Sequence, residues 1–405
     1  MKMAAGEDIL GNSGLPLFFP LKKTKTHKLP LPENRLGEAV RVAVRSLSVM
    51  QKEAVVVSAR TGQAWRLASD EGAYLDGHDQ APCPLSFLST GMVSSYMNEV
   101  LALAERRGIV IRQIRLVLDN FYTMKGSAIR GSMRGGAKDV ELQAQIDSDA
   151  DAATLQGLVC DAVAASPLNG LLRGHKDSLF ALAHNGTQIK TARAPNIAGD
   201  MMADPGDVFA GIGPAAGDWG ETVKRFDRMT PENENTKTFA SGSLADRQDR
   251  LLHVRVHCTL LPDGQKEIVQ YLYNPHGSVF RFRSDEVGAD GTSRAPDALS
   301  YAAAGIGFCF MTQFGRYAKI VRKPLSEYRI VQDLHTSRGG ASGDTGSAGA
   351  ADPVETHVYL FSEQNDVFAR QALDMAEQTC FLHALCKADL KARVRISGYD
   401  ATLTP

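Results

Sequence analysis

The chain has 405 residues, 43% of them hydrophobic and 22% charged, which is ordinary for a globular protein but too long for one ordinary core, so two domains are expected. Its 45 Lys and Arg against 46 Asp and Glu give a formal charge of −1, which argues against nucleic acid or an anionic membrane as the principal partner. With no run of about 18 apolar residues a membrane span is not expected, and six cysteines without regular spacing, CxxC pairs or zinc-ligand clusters fit a reducing cytoplasm better than a disulfide scaffold or a metal site.

Residues 1–38 are expected to form an N-terminal arm packed against the body. Its basic cluster, Lys22, Lys23, Lys25, His27 and Lys28, reads as a solvated segment rather than a binding tail. The apolar run Leu15 to Pro20 is short and follows Glu7 and Asp8, the wrong order for a secretory signal.

A first unit is expected over 39–189. The segment from Gly62 alternates apolar and polar residues and ends in Ser69-Asp70-Glu71, as a half-buried strand running into a loop would. Pro82-Cys83-Pro84 then opens a long apolar segment, Leu85 to Ala104, read as a buried helix with proline near its start, where a missing N–H costs little. Strands follow over Ile111 to Val117 and Val140 to Ile146, then a second helix at about 153–165. Residues 190–246 are rich in Gly, Ala, Pro, Asp and Asn without a sustained period, and read as a long linker with little structure of its own.

The second unit, 247–405, begins with a hairpin in which Leu252 to Leu261 alternates, Pro262-Asp263-Gly264 turns and Glu267 to Tyr273 returns. From there it repeats the first unit at a shift of 214 or 215 residues. Val279 to Arg283 again alternates and ends in Ser284-Asp285-Glu286; a buried helix spans Leu299 to Ile320; strands cover Leu325 to Val331 and Glu355 to Phe361; a second helix covers about 366–386. Residues 336–351, low in apolar bulk, read as a mobile loop. The fold class is therefore α+β, with two repeats that each combine a sheet, a buried central helix and a second helix.

The repeats differ in chemistry. Cys309 in the first helix of the second repeat, and Cys380 in its second helix, lie 214 residues after Ser95 and Ser166. A lone cysteine in an apolar helix is most often a small hydrophobe, and Cys83, Cys160, Cys258 and Cys386 are read that way. Pairing sets Cys309 and Cys380 apart: two thiols on packed helices can act as attacker and resolver, one taking oxygen from a peroxide and the other condensing with the sulfenic acid.

A central helix preceded by Asp-Glu, followed about 70 residues later by Ala376-Glu377-Gln378-Thr379-Cys380, resembles the OsmC/Ohr family of thiol-dependent peroxidases over about 40–185 and 247–400. That family usually places proline after its second cysteine; Ser166-Pro167 keeps the proline without the thiol, and Cys380-Phe381 keeps the thiol without the proline. The resemblance implies an organic hydroperoxide reductase in which Cys309 attacks and Cys380 resolves, with a dithiol reductant and no cofactor or metal. It also implies an intrachain pseudo-dimer, because family members form intertwined homodimers; further homo-oligomerisation is left open. The Ohr branch has a glutamate at the start of the first helix that works with an arginine to activate the thiol, and this chain has Leu299 there.

Candidates for that missing support are Arg281, Arg283, Asp285 and Glu286 before the helix, and Glu377 and His383 three residues on either side of Cys380. Each is at least as readily a surface charge or a packed side chain. Two further readings stay open: a cysteine hydrolase or transferase acting on a small apolar electrophile through Cys309, and a non-enzymatic ligand-binding or redox-sensing protein. No Gly-rich phosphate loop is present, which argues against a nucleotide cofactor.

Overall fold

The computed structural model describes residues 6–22, 28–48, 50–228, 242–288 and 293–400. Lys23, Lys25 and His27 of the basic cluster lie outside the described residues. The elements in the first half are α1 (Ile9–Asn12), β1 (Phe19–Pro20), β2 (Gly37–Ser46), β3 (Lys52–Ser58), β4 (Ala64–Ser69), α2 (Pro84–Arg106), β5 (Ile111–Ser127), β6 (Arg134–Ala137), β7 (Val140–Ser148), α3 (Ala152–Ala165), β8 (Leu179–His184) and β9 (Thr187–Ile189). A strand β10 (Val223–Arg228) precedes the second half, which runs β11 (Arg247–Leu260), β12 (Lys266–Asn274), β13 (Ser278–Ser284), α4 (Ala298–Val321), β14 (Glu327–Ser337), β15 (Glu355–Phe361), α5 (Asp366–Thr379), α6 (Phe381–Lys387) and β16 (Ala392–Gly398).

These strands form two sheets, and each sheet draws on both halves of the chain. The first has the order β1-β4-β3-β2-β14-β15-β8-β9, the second β10-β13-β12-β11-β5-β7-β16, with β6 paired to β5. The seams are long antiparallel ladders: β2 meets β14 from Gly37↔Ser337 to Arg45↔Arg329, and β11 meets β5 from Arg247↔Ser127 to Thr259↔Arg115. Two parallel pairings complete the exchange, β8 with β15 and β16 with β7. The opening hairpin of either half is thus completed by the closing strands of the other.

Four layers result. Helix α4 packs on β2, β3 and β14 of the first sheet, α2 packs on β5, β11 and β12 of the second, and the two helices pack on each other. Covered on opposite sides, both helices are apolar nearly all round, and Phe308, Phe310, Met311 and Phe314 of α4 are fully buried. Each such side chain contributes about 1.5–3 kcal/mol of burial. The helix backbones approach closely because glycine sits at the crossing: a Cβ on Gly91 would lie 2.5 Å from the Ala298 carbonyl oxygen, and one on Gly305 would lie 2.8 Å from the Leu88 nitrogen.

Helix starts follow ordinary capping chemistry in both halves. Asp151 accepts from the Thr154 N–H at 2.8 Å to open α3, and Asn365 accepts from the Phe368 N–H at 3.1 Å to open α5.

Two segments depart from expectation. The linker contributes β10 to the edge of the second sheet, and before it Val208 and Phe209 pack on Ala43, Val55, Val331 and Tyr359 at the outer face of the first. It carries no period because it attaches by single anchors rather than by one helical or strand face. The segment 338–350 is not free either: Gly340 and Gly349 donate to the carbonyls of Ala165 and Ala164, and the Ala341 and Ser342 N–H groups bind Glu99. Its small residues permit that close approach rather than motion.

Candidate functional site: a thiol pair and its serine counterpart

Cys309 points from the middle of α4 and is 2% exposed. Cys380 is fully buried where α5 ends and α6 begins, in extended backbone conformation (φ −71°, ψ 118°). Ser166 holds the same kind of junction at the end of α3 (φ −64°, ψ 127°). A glycine runs past each junction: a Cβ on Gly135 would lie 2.8 Å from the Thr379 oxygen, and one on Gly349 would lie 1.8 Å from the Ser166 oxygen. Chain direction, burial and neighbouring backbone therefore coincide at the two places.

Both cysteines are unoxidised, and they lie close enough together that, after burial, Cys309 is the main influence on the Cys380 thiol, which is pushed well above its ordinary range and holds its proton. In the other half the Ser95 and Ser166 hydroxyls are 2.7 Å apart.

Two of the charged groups beside Cys309, Lys52 and Glu71, come from the opposite half. Lys52, fully buried at the start of β3, donates to the Met50 carbonyl at 2.5 Å and lies close enough to Glu71, Asp70 and Cys309 for their charges to interact. Burial lowers the lysine and raises Glu71. Glu71, just beyond β4, accepts from the Tyr74 hydroxyl at 2.7 Å and from Thr312, one turn beyond Cys309 on α4, at 3.0 Å. The same arrangement recurs at the serine pair: Asn98, one turn beyond Ser95, donates to Glu286 at 2.8 Å, and Lys266 contacts both Glu286, at 3.4 Å, and Asn98.

Around Cys309 is an enclosed space of about 30 Å³, lined among others by Glu71, Tyr74, Cys83, Arg250, Thr312 and Arg316. Burial, then the neighbouring Arg250, pushes Arg316 down to about 9, and burial pushes Arg250 down to about 10. Arg316 donates to the Ser243 carbonyl at 2.8 Å and contacts the Met133 sulfur at 3.1 Å; Arg250 donates to the Ser243 hydroxyl, and its buried Nε has no partner. Among the described residues neither guanidinium is within 4.0 Å of a carboxylate, so both leave positive charge facing the cavity.

The candidates drawn from sequence scatter. Arg281 pairs with Glu221, Arg283 with Glu267 at 3.0 Å, and Asp285 with Arg294 at 2.8 Å; none of these lines the Cys309 cavity. Glu286 goes to the serine pair, and Glu377 lies 3.7 Å from Lys387 with its carboxyl raised by burial. His383 is stacked on Phe310, with ring centres 4.8 Å apart, and burial pushes it down to about 3, so its neutral ring packs without lending charge to a thiol.

Lys52, Glu71, Arg250 and Arg316 were not singled out by sequence. Lys52 and Lys266, like Glu71 and Glu286, recur at the repeat spacing, and that recurrence was the available signal. One His–carboxylate group elsewhere, Asp333, His335 and Glu355, has ligand atoms within 4.8 Å of one another. Arg41 holds Asp333 by two bonds of 2.7 Å and Arg35 holds Glu355 at 2.8 Å, which leaves little negative charge for a cation.

Among the described residues no helix is long and apolar enough to cross a membrane. No family model matches the chain, and neither does any curated protein. Among solved structures, the chain is similar to an OsmC-like hydroperoxide resistance protein from Jannaschia sp. CCS1, with 24% identity over 29% of this chain and 75% of that one, at a TM-score of 0.19. At that score nothing about activity is transferred from it.

Proposed function

We propose that this protein is a two-cysteine thiol peroxidase of the OsmC/Ohr type, organised as an intrachain pseudo-dimer with one thiol site and one serine relic. The observation that carries this reading is the proximity of two buried thiols, one of them lining a small cavity, to the buried Lys52 side chain. In the first step the Cys309 thiolate attacks one peroxide oxygen; the O–O bond breaks, sulfur becomes sulfenic acid, and the departing alkoxide or hydroxide takes a proton. Positive charge from Lys52, Arg250 and Arg316 favours the departing oxyanion. In the second step Cys380 supplies its sulfur to the sulfenic acid, forming the disulfide and releasing water. An external dithiol restores both thiols by exchange.

The cavity also bears on the substrate. About 30 Å³ is the room that roughly two waters need, in a mainly apolar lining that includes Leu75, Leu85, Leu252 and Phe381 beside Glu71, Arg250 and Arg316, so on size alone the peroxide group fits whereas a bulky tail does not without movement of Tyr74 and its neighbours. Hydrogen peroxide and compact hydroperoxides are therefore the favoured substrates, ahead of the greasy ones expected from helix composition.

The test is intact-mass and thiol analysis after peroxide addition. The expected result is one Cys309–Cys380 disulfide in the native chain and a dimedone-trappable sulfenic acid on Cys309 in Cys380→Ser. Two unmodified thiols after exposure would sink the reading.

A further inference from the structure

The serine pair does not sit at the bottom of a closed relic. Ser95 lines an open cavity of about 490 Å³, against about 30 Å³ at Cys309. The two spaces are equivalent in the fold, and the substitutions between them account for the difference in size and charge. Ala102 of α2 stands where α4 has Arg316, which removes a long side chain from the wall. Glu99 stands in place of Gln313, and Asp297 in place of Cys83. The thiol cavity is lined by one carboxylate, Glu71, and two guanidiniums; the serine cavity is lined by five carboxylates, Glu38, Glu99, Glu105, Glu286 and Asp297, and two guanidiniums, Arg60 and Arg338.

Some of that charge is already satisfied. Arg60 holds Glu38 at 2.6 Å, and Glu99 is capped by the N–H groups of Ala341 and Ser342 at 2.7 and 3.1 Å. Asp297 and Glu286 lack a guanidinium partner: Glu286 accepts from Asn98 at 2.8 Å and has Lys266 at 3.4 Å, while Asp297 accepts from the Ser300 N–H at 2.7 Å, and burial together with the Glu286 charge raises its carboxyl. A second observation points into the same space. The Thr336 hydroxyl, on β14 directly across from Glu38, is fully buried, lines the cavity and has no hydrogen-bond partner. A buried hydroxyl without a partner is costly, and a bound donor would recover that cost.

We infer that the serine-lined cavity is a binding site for an aliphatic polyamine, whose ammonium groups bridge Glu286 and Asp297 and donate to Thr336. The net lining charge of three negatives suits a ligand of several positive charges, and the size of the cavity suits a flexible chain better than a single ammonium ion. The site would work without thiol chemistry and is independent of the peroxidase reading.

The experiment is titration calorimetry of the full chain with spermidine, with choline and glutamate as controls. Spermidine should bind and choline, which has no N–H donor, should bind more weakly; affinity should fall as salt is raised. Glu286→Gln should weaken binding by about tenfold, the loss of one charge-assisted hydrogen bond. Thr336→Val should weaken it less, and Ala102→Arg, which installs the side chain of the other cavity, should abolish it. Thermal melts establish that each variant is folded, and Glu286→Gln, at a half-exposed side chain, decides the matter if Ala102→Arg does not fold. Absence of spermidine binding, affinity unchanged in Glu286→Gln, or preference for glutamate would each overturn the assignment.

Discussion

Ser95 and Ser166 meet oxygen to oxygen at 2.7 Å, at the two positions that Cys309 and Cys380 hold in the other half of the chain. The bond keeps the helix crossing and the junction after α3 in register without sulfur. The geometry of this junction therefore does not depend on sulfur.

If so, restoring sulfur should restore a reactive pair. Ser95→Cys with Ser166→Cys should give a protein in which oxidant consumes a second pair of thiols, beyond that of Cys309 and Cys380. Thiol titration before and after peroxide reads this directly. A double variant whose new thiols stay reduced, while the native pair oxidises, would show that the two places differ in more than their nucleophile.

The buried ammonium of Lys52 should matter to rate. Lys52→Met removes a charge that interacts with Cys309 and should slow peroxide consumption at neutral pH by about tenfold, the equivalent of one pH unit of lost stabilisation. The same change leaves Glu71 buried without its cation, which destabilises the fold. Adding Glu71→Gln should recover the melting temperature and leave the rate low; stopped-flow consumption and thermal melts separate the two effects.

Much of this arrangement was visible beforehand, and the missing part has one physical origin. The repeat spacing, the alternation of Val279 to Arg283 and the apolar length of the central helices are local patterns, and the helices appear at Pro84–Arg106 and Ala298–Val321 against expected spans of 85–104 and 299–320. Which strand pairs with which is not local. Arg281, Arg283, Asp285 and Glu286 are candidates from sequence only because they precede the Cys309 helix, yet the exchange of hairpins sends Glu286 to Asn98 and brings Glu71 to Thr312. Arg250 and Arg316 were illegible for a related reason, since a charged residue in a strand or helix reads as solvated until both sides of it are seen to be covered.

The helix crossing tolerates no side chain at its two glycines. A Cβ on Gly91 would lie 2.5 Å from the Ala298 oxygen, and one on Gly305 would lie 2.8 and 2.9 Å from Leu88 nitrogen and Phe87 Cβ, so backbone must move in either case. Alanine's better helix propensity returns only about 1 kcal/mol, against about 1–3 kcal/mol for overpacking. Both substitutions should lower the urea midpoint, Gly91→Ala more than Gly305→Ala. Equal or higher midpoints would refute the close crossing.

His383 supplies a pH dependence with a definite sign. Burial lowers its folded-state value from 6.5 to about 3, so as pH falls the unfolded chain takes up the proton first. Its contribution to stability is complete above about pH 6.5 and is lost as pH falls from there toward about 3, at up to about 1.4 kcal/mol per unit. His383→Phe preserves the stack on Phe310 and should flatten unfolding free energy over that range while leaving peroxide consumption at neutral pH unchanged. A matching loss of activity would instead give the imidazole a chemical task.

The exchange of hairpins also bears on what each half is free to become. Lys52 and Glu71 belong to the half that carries Ser95 and Ser166, yet they lie beside Cys309 of the other half. On the proposed reading, a substitution in the first strands of one half would therefore be felt in the thiol chemistry of the other, and deleting the first half would remove Lys52 and Glu71 from beside Cys309.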